Sequence, residues 1–112
     1  MNDTITQAPT AADQLRAAQL FVLLVTEHPD LPAPTFNVSS DMVEMTFYDH
    51  RLPAPLTAFE QWREALNIDP ATVGHGVAED LGWLRVTTQL ADLTLRIIAF
   101  HRRDWDPADL GL

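Results

Sequence analysis

WLRVTTQLADLTLRIIAF, residues 83–100, holds two β-rich runs, Trp83 to Gln89 and Leu93 to Phe100, that meet near Leu90-Ala91-Asp92. Both are rich in β-branched residues, and both place arginine or threonine on one side of an alternating pattern. The spacing predicts a hairpin. A second one is predicted upstream. Thr35-Phe36-Asn37-Val38-Ser39 alternates weakly, Ser40-Asp41 supplies a tight turn, and Met42 to Tyr48 alternates well. Val43, Met45 and Phe47 share one face there. Met42, Glu44, Thr46 and Tyr48 share the other.

Two helices complete the pattern. The first begins near Pro9 and Thr10, with Thr10 as N-cap and Asp13 placed to accept backbone N–H groups. Leu15, Ala18, Val22 and Val25 form a stripe at helical spacing, widened by Phe21 and Leu24, and this stripe is expected to face the core. The helix should stop at His28-Pro29, because a residue before proline is pushed out of the helical region. Pro29-Asp30-Leu31-Pro32-Ala33-Pro34 then forms a stiff connector. The second helix is expected to open on the capping box Thr57-Ala58-Phe59-Glu60 and to end at Asp69-Pro70. It turns Phe59, Trp62 and Leu66 inward and Gln61, Arg63 and Glu64 to solvent. Ala71 to Gly82 is the least regular stretch, its Gly74, Gly76 and Gly82 suggesting turns.

The order α-β-β-α-β-β implies an α+β fold with a four-stranded antiparallel sheet packed on one face by helices. Residues 1–8 read as a disordered N-terminal end, 9–101 as a single α+β domain, and 102–112 as an irregular acidic C-terminal tail.

Composition excludes several function classes. All seven basic residues are arginines, against sixteen Asp and Glu, for a net charge of −9. Without lysine there is no phosphate-loop lysine, Schiff base or lysine general base. Without cysteine there is no disulfide framework and no thiolate zinc site. The negative field opposes contact with phosphate backbones, so direct nucleic-acid binding is not expected. No apolar run approaches the roughly 20 residues of a membrane span, and a cytoplasmic protein without membrane contact is expected.

The search for chemistry is similarly bare. His28, His50, His75 and His101 include no pair at helical metal-ligand spacing. Asp49-His50-Arg51 points adjacent side chains to opposite sides of an extended chain. The His75, Glu79 and Asp80 loop is the one place where an acid–base or metal site is conceivable. No Gly-rich phosphate cradle and no nucleophile elbow surrounds any residue. No catalytic, metal or cofactor site is therefore expected.

Trp62 and Trp83 read as core, whereas Trp105, among charges, either folds back onto the domain or anchors a partner. A hairpin centred near Ala91 brings Arg85 and Arg96 to nearly facing positions, with Arg102 and Arg103 beyond. That zone either contacts an anion or acidic peptide, or is neutralised by Glu44 across the sheet. If helices cover one face alone, Met42, Tyr48 and part of Ile98 or Phe100 are left on a bare surface, the usual mark of dimerisation or partner binding.

The stretch Thr26-Glu27-His28-Pro29-Asp30-Leu31-Pro32-Ala33-Pro34, between an apolar helix and a hairpin, resembles a family of small uncharacterised proteins of actinobacteria and their phages or mobile elements. Phe59-x-x-Trp62 and the closing hairpin are in keeping with it. The resemblance spans residues 12–100. It implies a cytoplasmic protein of a lysine-poor, G+C-rich proteome and no known activity.

The expectation is a non-enzymatic protein-interaction module, self-associating through an exposed sheet face or binding a protein partner. Its candidate contacts are Met42, Tyr48, Arg85, Arg96, Arg102, Arg103 and Trp105. Two alternatives stand beside it. One is an acidic regulator or anti-defence protein that occupies a partner's basic nucleic-acid-binding site. The other is a small enzyme or metal-binding protein using His75, Glu79 and Asp80.

Overall fold

The computed structural model describes residues 8–48 and 54–102. Their order is α1 (Leu15–Glu27), β1 (Thr35–Val38), β2 (Met42–Tyr48), α2 (Pro55–Ala65), β3 (Gly74–Ala78), β4 (Leu81–Leu90) and β5 (Leu93–Arg102). Short 3-10 turns lie at Ala11–Gln14 and Pro70–Thr72. The α+β class is as expected, but the sheet is mixed and has five strands, in the order β1-β2-β5-β4-β3. β2 and β5 run parallel, and the other three neighbouring pairs are antiparallel. Both predicted hairpins form. They join through β5, which lies between β2 and β4, so that the junction between two antiparallel units is itself parallel.

The fifth strand is β3, in the stretch that reads as turns. Glycine is poor in strands because it has no side chain to pack. At position 76 that lack is what the structure uses: an added Cβ would lie 2.5 Å from Cζ2 of Trp83, whose indole lies across the strand. Gly82 likewise makes room for the imidazole of His101, which is buried. Between β4 and β5, Ala91 and Asp92 have φ of 50° and 69°. Two successive left-handed residues match the twist of a two-residue hairpin.

One sheet face carries the core. Val43, Met45 and Phe47 of β2, Leu84 and Val86 of β4, and Leu95, Ile97 and Ala99 of β5 are buried together with Ala17 and Leu24 of α1 and Ala58, Phe59 and Trp62 of α2. Thr10 caps the 3-10 turn Ala11–Gln14 that leads into α1, which begins later than expected and stops where expected. Asp13 accepts the Thr10 N–H at 2.8 Å, and the helix closes with the His28 N–H donating to the Leu24 carbonyl at 3.1 Å. Its orientation differs from expectation. Ala17 and Leu24 face the sheet, with Leu20 and Phe21 half-buried, whereas Leu15, Val22 and Val25 are exposed. The helix is apolar nearly all round, so periodicity does not select a face. Tethers do. Arg16 donates to the Ala91 carbonyl at 3.1 Å and pairs with Asp92 at 3.4 Å, Gln14 donates to the Val38 carbonyl at 3.3 Å, and Phe21 meets Phe36 edge-on at 4.3 Å.

α2 starts two residues before the expected Thr57. Pro55 occupies the first turn, where its fixed φ suits a helix and its missing N–H costs nothing, and Ala58 N–H donates to the Ala54 carbonyl. Glu60 is thereby freed from a capping role and forms a two-pronged pair with Arg63, at 2.8 and 2.9 Å. Arg63, expected in solvent, is 8% exposed. Its guanidinium also donates to the Ile68 carbonyl beyond the helix end. The hydrogen bonds that Arg63 donates to Glu60 raise the Arg63 pKa against the opposing cost of burial.

Arg63 therefore clamps the end of α2 to the segment leading into β3. Arg63→Ala strands the Ile68 carbonyl and leaves Glu60 uncompensated, and should cost about 2–4 kcal/mol. Urea denaturation checks it: a midpoint unchanged from the parent would show that the clamp contributes nothing.

Candidate functional site

The second sheet face is the candidate site, because no described helix covers it. Register sets its side chains in rows. Tyr48, Phe100, Trp83 and Gly76 form one row across β2, β5, β4 and β3. Thr46, Ile98, Arg85 and Gly74 form the next, with Thr35 beyond Thr46. Asn37, Glu44, Arg96 and Thr87 follow, then Met42, Thr94 and Gln89.

The face has an aromatic end and a polar end. At the aromatic end Tyr48 and Phe100 stack at 5.7 Å with ring planes 13° apart. Trp83 lies flat over Gly76, and the Arg85 guanidinium carbon sits 5.0 Å from the centre of a Trp83 ring. Tyr48, Trp83, Ile98 and Phe100 are half-buried, and Arg85 is exposed. At the polar end Arg96 pairs with Glu44 at 3.3 Å, and Gln89 donates to the Thr94 hydroxyl at 3.0 Å. The Arg96 Nε is buried and has no hydrogen-bond partner among the described residues.

The arginines separate by their partners. Arg16 pairs with Asp92, Arg63 with Glu60, and Arg96 with Glu44. Arg85 has no ion pair among the described residues; its contact is the Trp83 ring. A guanidinium on an indole keeps its in-plane donors directed outward, where they suit a carboxylate.

The sequence-predicted contacts divide accordingly. Met42, Tyr48, Arg85 and Arg96 share this face. Arg85 and Arg96 are not opposite one another: Arg85 pairs with Ile98 and Arg96 with Thr87, which makes the arginines diagonal neighbours. Glu44 neutralises Arg96, as one of the two expected outcomes has it. Arg102 ends β5 opposite Leu81. Arg103 and Trp105 lie outside the described residues, as does His50.

Trp83, expected in the core, belongs to the open face, beside Ile98 and Phe100, which were expected there. The signal was available in the parity of β4, since Leu84 and Val86 cannot face the core unless Trp83 faces away. Trp62 is core as expected. His75, Glu79 and Asp80 are all exposed, and no three or more His, Asp or Glu side chains among the described residues gather as a metal site. No described helix is long and apolar enough to cross a membrane. The chain matches no protein-family model, no curated protein and no solved structure.

The Trp83 platform depends on Gly76. Gly76→Ala must displace the indole, and we expect the Trp83 indole N–H signal in a proton–nitrogen NMR spectrum to shift while that of Trp62 stays in place. Stability should fall by about 1–2 kcal/mol. An unmoved Trp83 signal would contradict the close packing.

Proposed function

We propose that this protein is a non-enzymatic interaction module whose open sheet face docks a segment of a partner protein carrying an acidic residue beside an apolar or aromatic one. The observation that carries this reading is Arg85 stacked on Trp83 and lacking an acid among the described residues, on a chain with sixteen acids against seven arginines. Acids are abundant, yet none of those described is placed on this cation. The ligand supplies it. Tyr48, Phe100 and Ile98 alongside offer a flat, half-buried apolar floor for the neighbouring side chain. Tryptophan, tyrosine and arginine are the residue types that most often dominate binding energy at protein interfaces.

Selection from a displayed random-peptide library tests the reading. Enriched peptides should carry Asp or Glu next to an aromatic or aliphatic residue. Their binding should shift the NMR signals of Tyr48, Trp83, Arg85 and Phe100, and Arg85→Glu should weaken it about tenfold or more. Selected peptides without an acid, or shifts confined to other surfaces, would sink the proposal. Binding by a second copy of the chain on this face would appear as the same shifts on dilution, without peptide, and would replace the proposed partner.

A further inference from the structure

Leu15, Ala18, Val22 and Val25 recur at intervals of three, four and three residues, the spacing of the seam between two packed helices. In this chain three of the four are exposed and Ala18 is half-buried. Leu15 is 58% exposed, Val22 57% and Val25 43%, among the most exposed large apolar residues described. We infer that this seam is the interface of a homodimer in which two copies of α1 pack antiparallel about a two-fold axis. The reading is independent of the open sheet face, which lies on the far side of the sheet from the helices.

Three observations select a second copy as the occupant. The first is symmetry. A dimer of this kind requires one patch to be complementary to itself. With the axis level with Leu20, Leu15 of each copy meets Val25 of the other, and Ala18 meets Val22. Each layer then pairs a larger side chain with a smaller one, the condition for interdigitation.

The second is charge. Two copies at −9 repel one another, and a stable contact must avoid opposing acids. The seam residues Leu15, Ala18, Val22 and Val25 are uncharged, as are the exposed Gln19, Leu23 and Thr26 beside them; the exposed charges of α1 are Arg16 and Glu27. Three nearby charges are turned aside or already engaged. Arg16 is held by Asp92 and the Ala91 carbonyl, and Asp13 by the Thr10 N–H. Glu27 lies on the opposite side of the helix from the seam, given 100° per residue.

The third is a receiving groove. Beside Val25, at the C-terminal end of α1, lies an apolar cavity of about 240 Å³ lined by Phe21, His28, Leu31, Phe36 and Trp62 among others. Trp62 is locked in its wall by an indole N–H donated to the Pro32 carbonyl at 2.8 Å, and His28 packs against it edge-on. The one indole N–H in its wall is thereby already satisfied. In the antiparallel pairing, Leu15 of the second copy arrives at Val25, at the mouth of this groove. Two identical insertions close the dimer and extend an interface that one pair of helices about 20 Å long would leave small.

The chain has no cysteine, so cross-linking can read register directly. Size-exclusion chromatography with light scattering should show a dimer that dissociates on dilution. Val22→Glu and Leu15→Glu should each weaken it by about tenfold or more, with the circular dichroism spectrum unchanged because both sites are solvent-exposed in the monomer. On mild oxidation, a mixture of Ala18→Cys and Val22→Cys chains should yield mainly the mixed disulfide. A monomer at every soluble concentration overturns the inference. So does a dimer indifferent to Val22→Glu and Leu15→Glu but broken by Trp83→Ser, which would place self-association on the sheet. Homodisulfides at Ala18→Cys and at Val22→Cys would overturn the antiparallel register.

Discussion

Strand β5 is the constraint on which the remainder of the molecule depends. It pairs along its whole length with β4 on one side and along seven residues with β2 on the other. Alternate residues Leu93, Leu95, Ile97 and Ala99 are buried, and those between them face away. A slip of one residue would turn Arg96, Ile98 and Phe100 into the core and Leu95 and Ile97 out of it. Because β5 is central, its register sets the rows of every other strand. The stacking of Tyr48 on Phe100, the pairing of Glu44 with Arg96 and the seat of Arg85 beside Ile98 all follow from it.

Both helices pack on the same side of this strand, and that asymmetry gives the protein two kinds of surface. One is the bare sheet face, where aromatic rings lie flat and one guanidinium is left without an acid among the described residues. The other is the back of α1, which has more apolar surface than the sheet can cover. A helix needs an apolar stripe over roughly a third of its circumference to bury against a core. α1 has Ala17, Leu20, Phe21 and Leu24 for that purpose, and carries a further stripe beside them. Among the described residues nothing covers either surface, and exposed apolar surface is where protein contacts commonly form.

The elements themselves were largely legible. The strand faces of β2, the two-residue joint at Ala91-Asp92, the closing of α1 before Pro29 and the inward Phe59 and Trp62 all follow from local chemistry. The misreadings share one cause. Arg63 looked solvent-facing because a lone arginine on a helix normally is, and only the approach of the Ile68 carbonyl makes burial favourable. Thr57 and Glu60 have the spacing of a cap, but Pro55 begins the helix earlier. Gly76 suggested a turn, whereas the Trp83 ring is the reason a strand carries no side chain there. Each residue has its role set by a particular neighbour that the period of its own segment does not register.

The amino-acid sequence alone determined the class of fold, the excess of negative charge, the exclusion of lysine and cysteine chemistry, and the alternating faces of the long strands. These rest on composition and on periods of two and 3.6 residues, which each segment carries within itself. The tertiary structure decided that β2 and β5 are parallel, that a glycine-bearing segment is a fifth strand, and that α1 turns Ala17 and Leu24 inward. It also decided which arginine is left without an acid among the described residues. Those outcomes depend on which strand lies beside which and where the tethers fall, and a stripe that is apolar on either side of a helix cannot choose between them before the sheet is assembled.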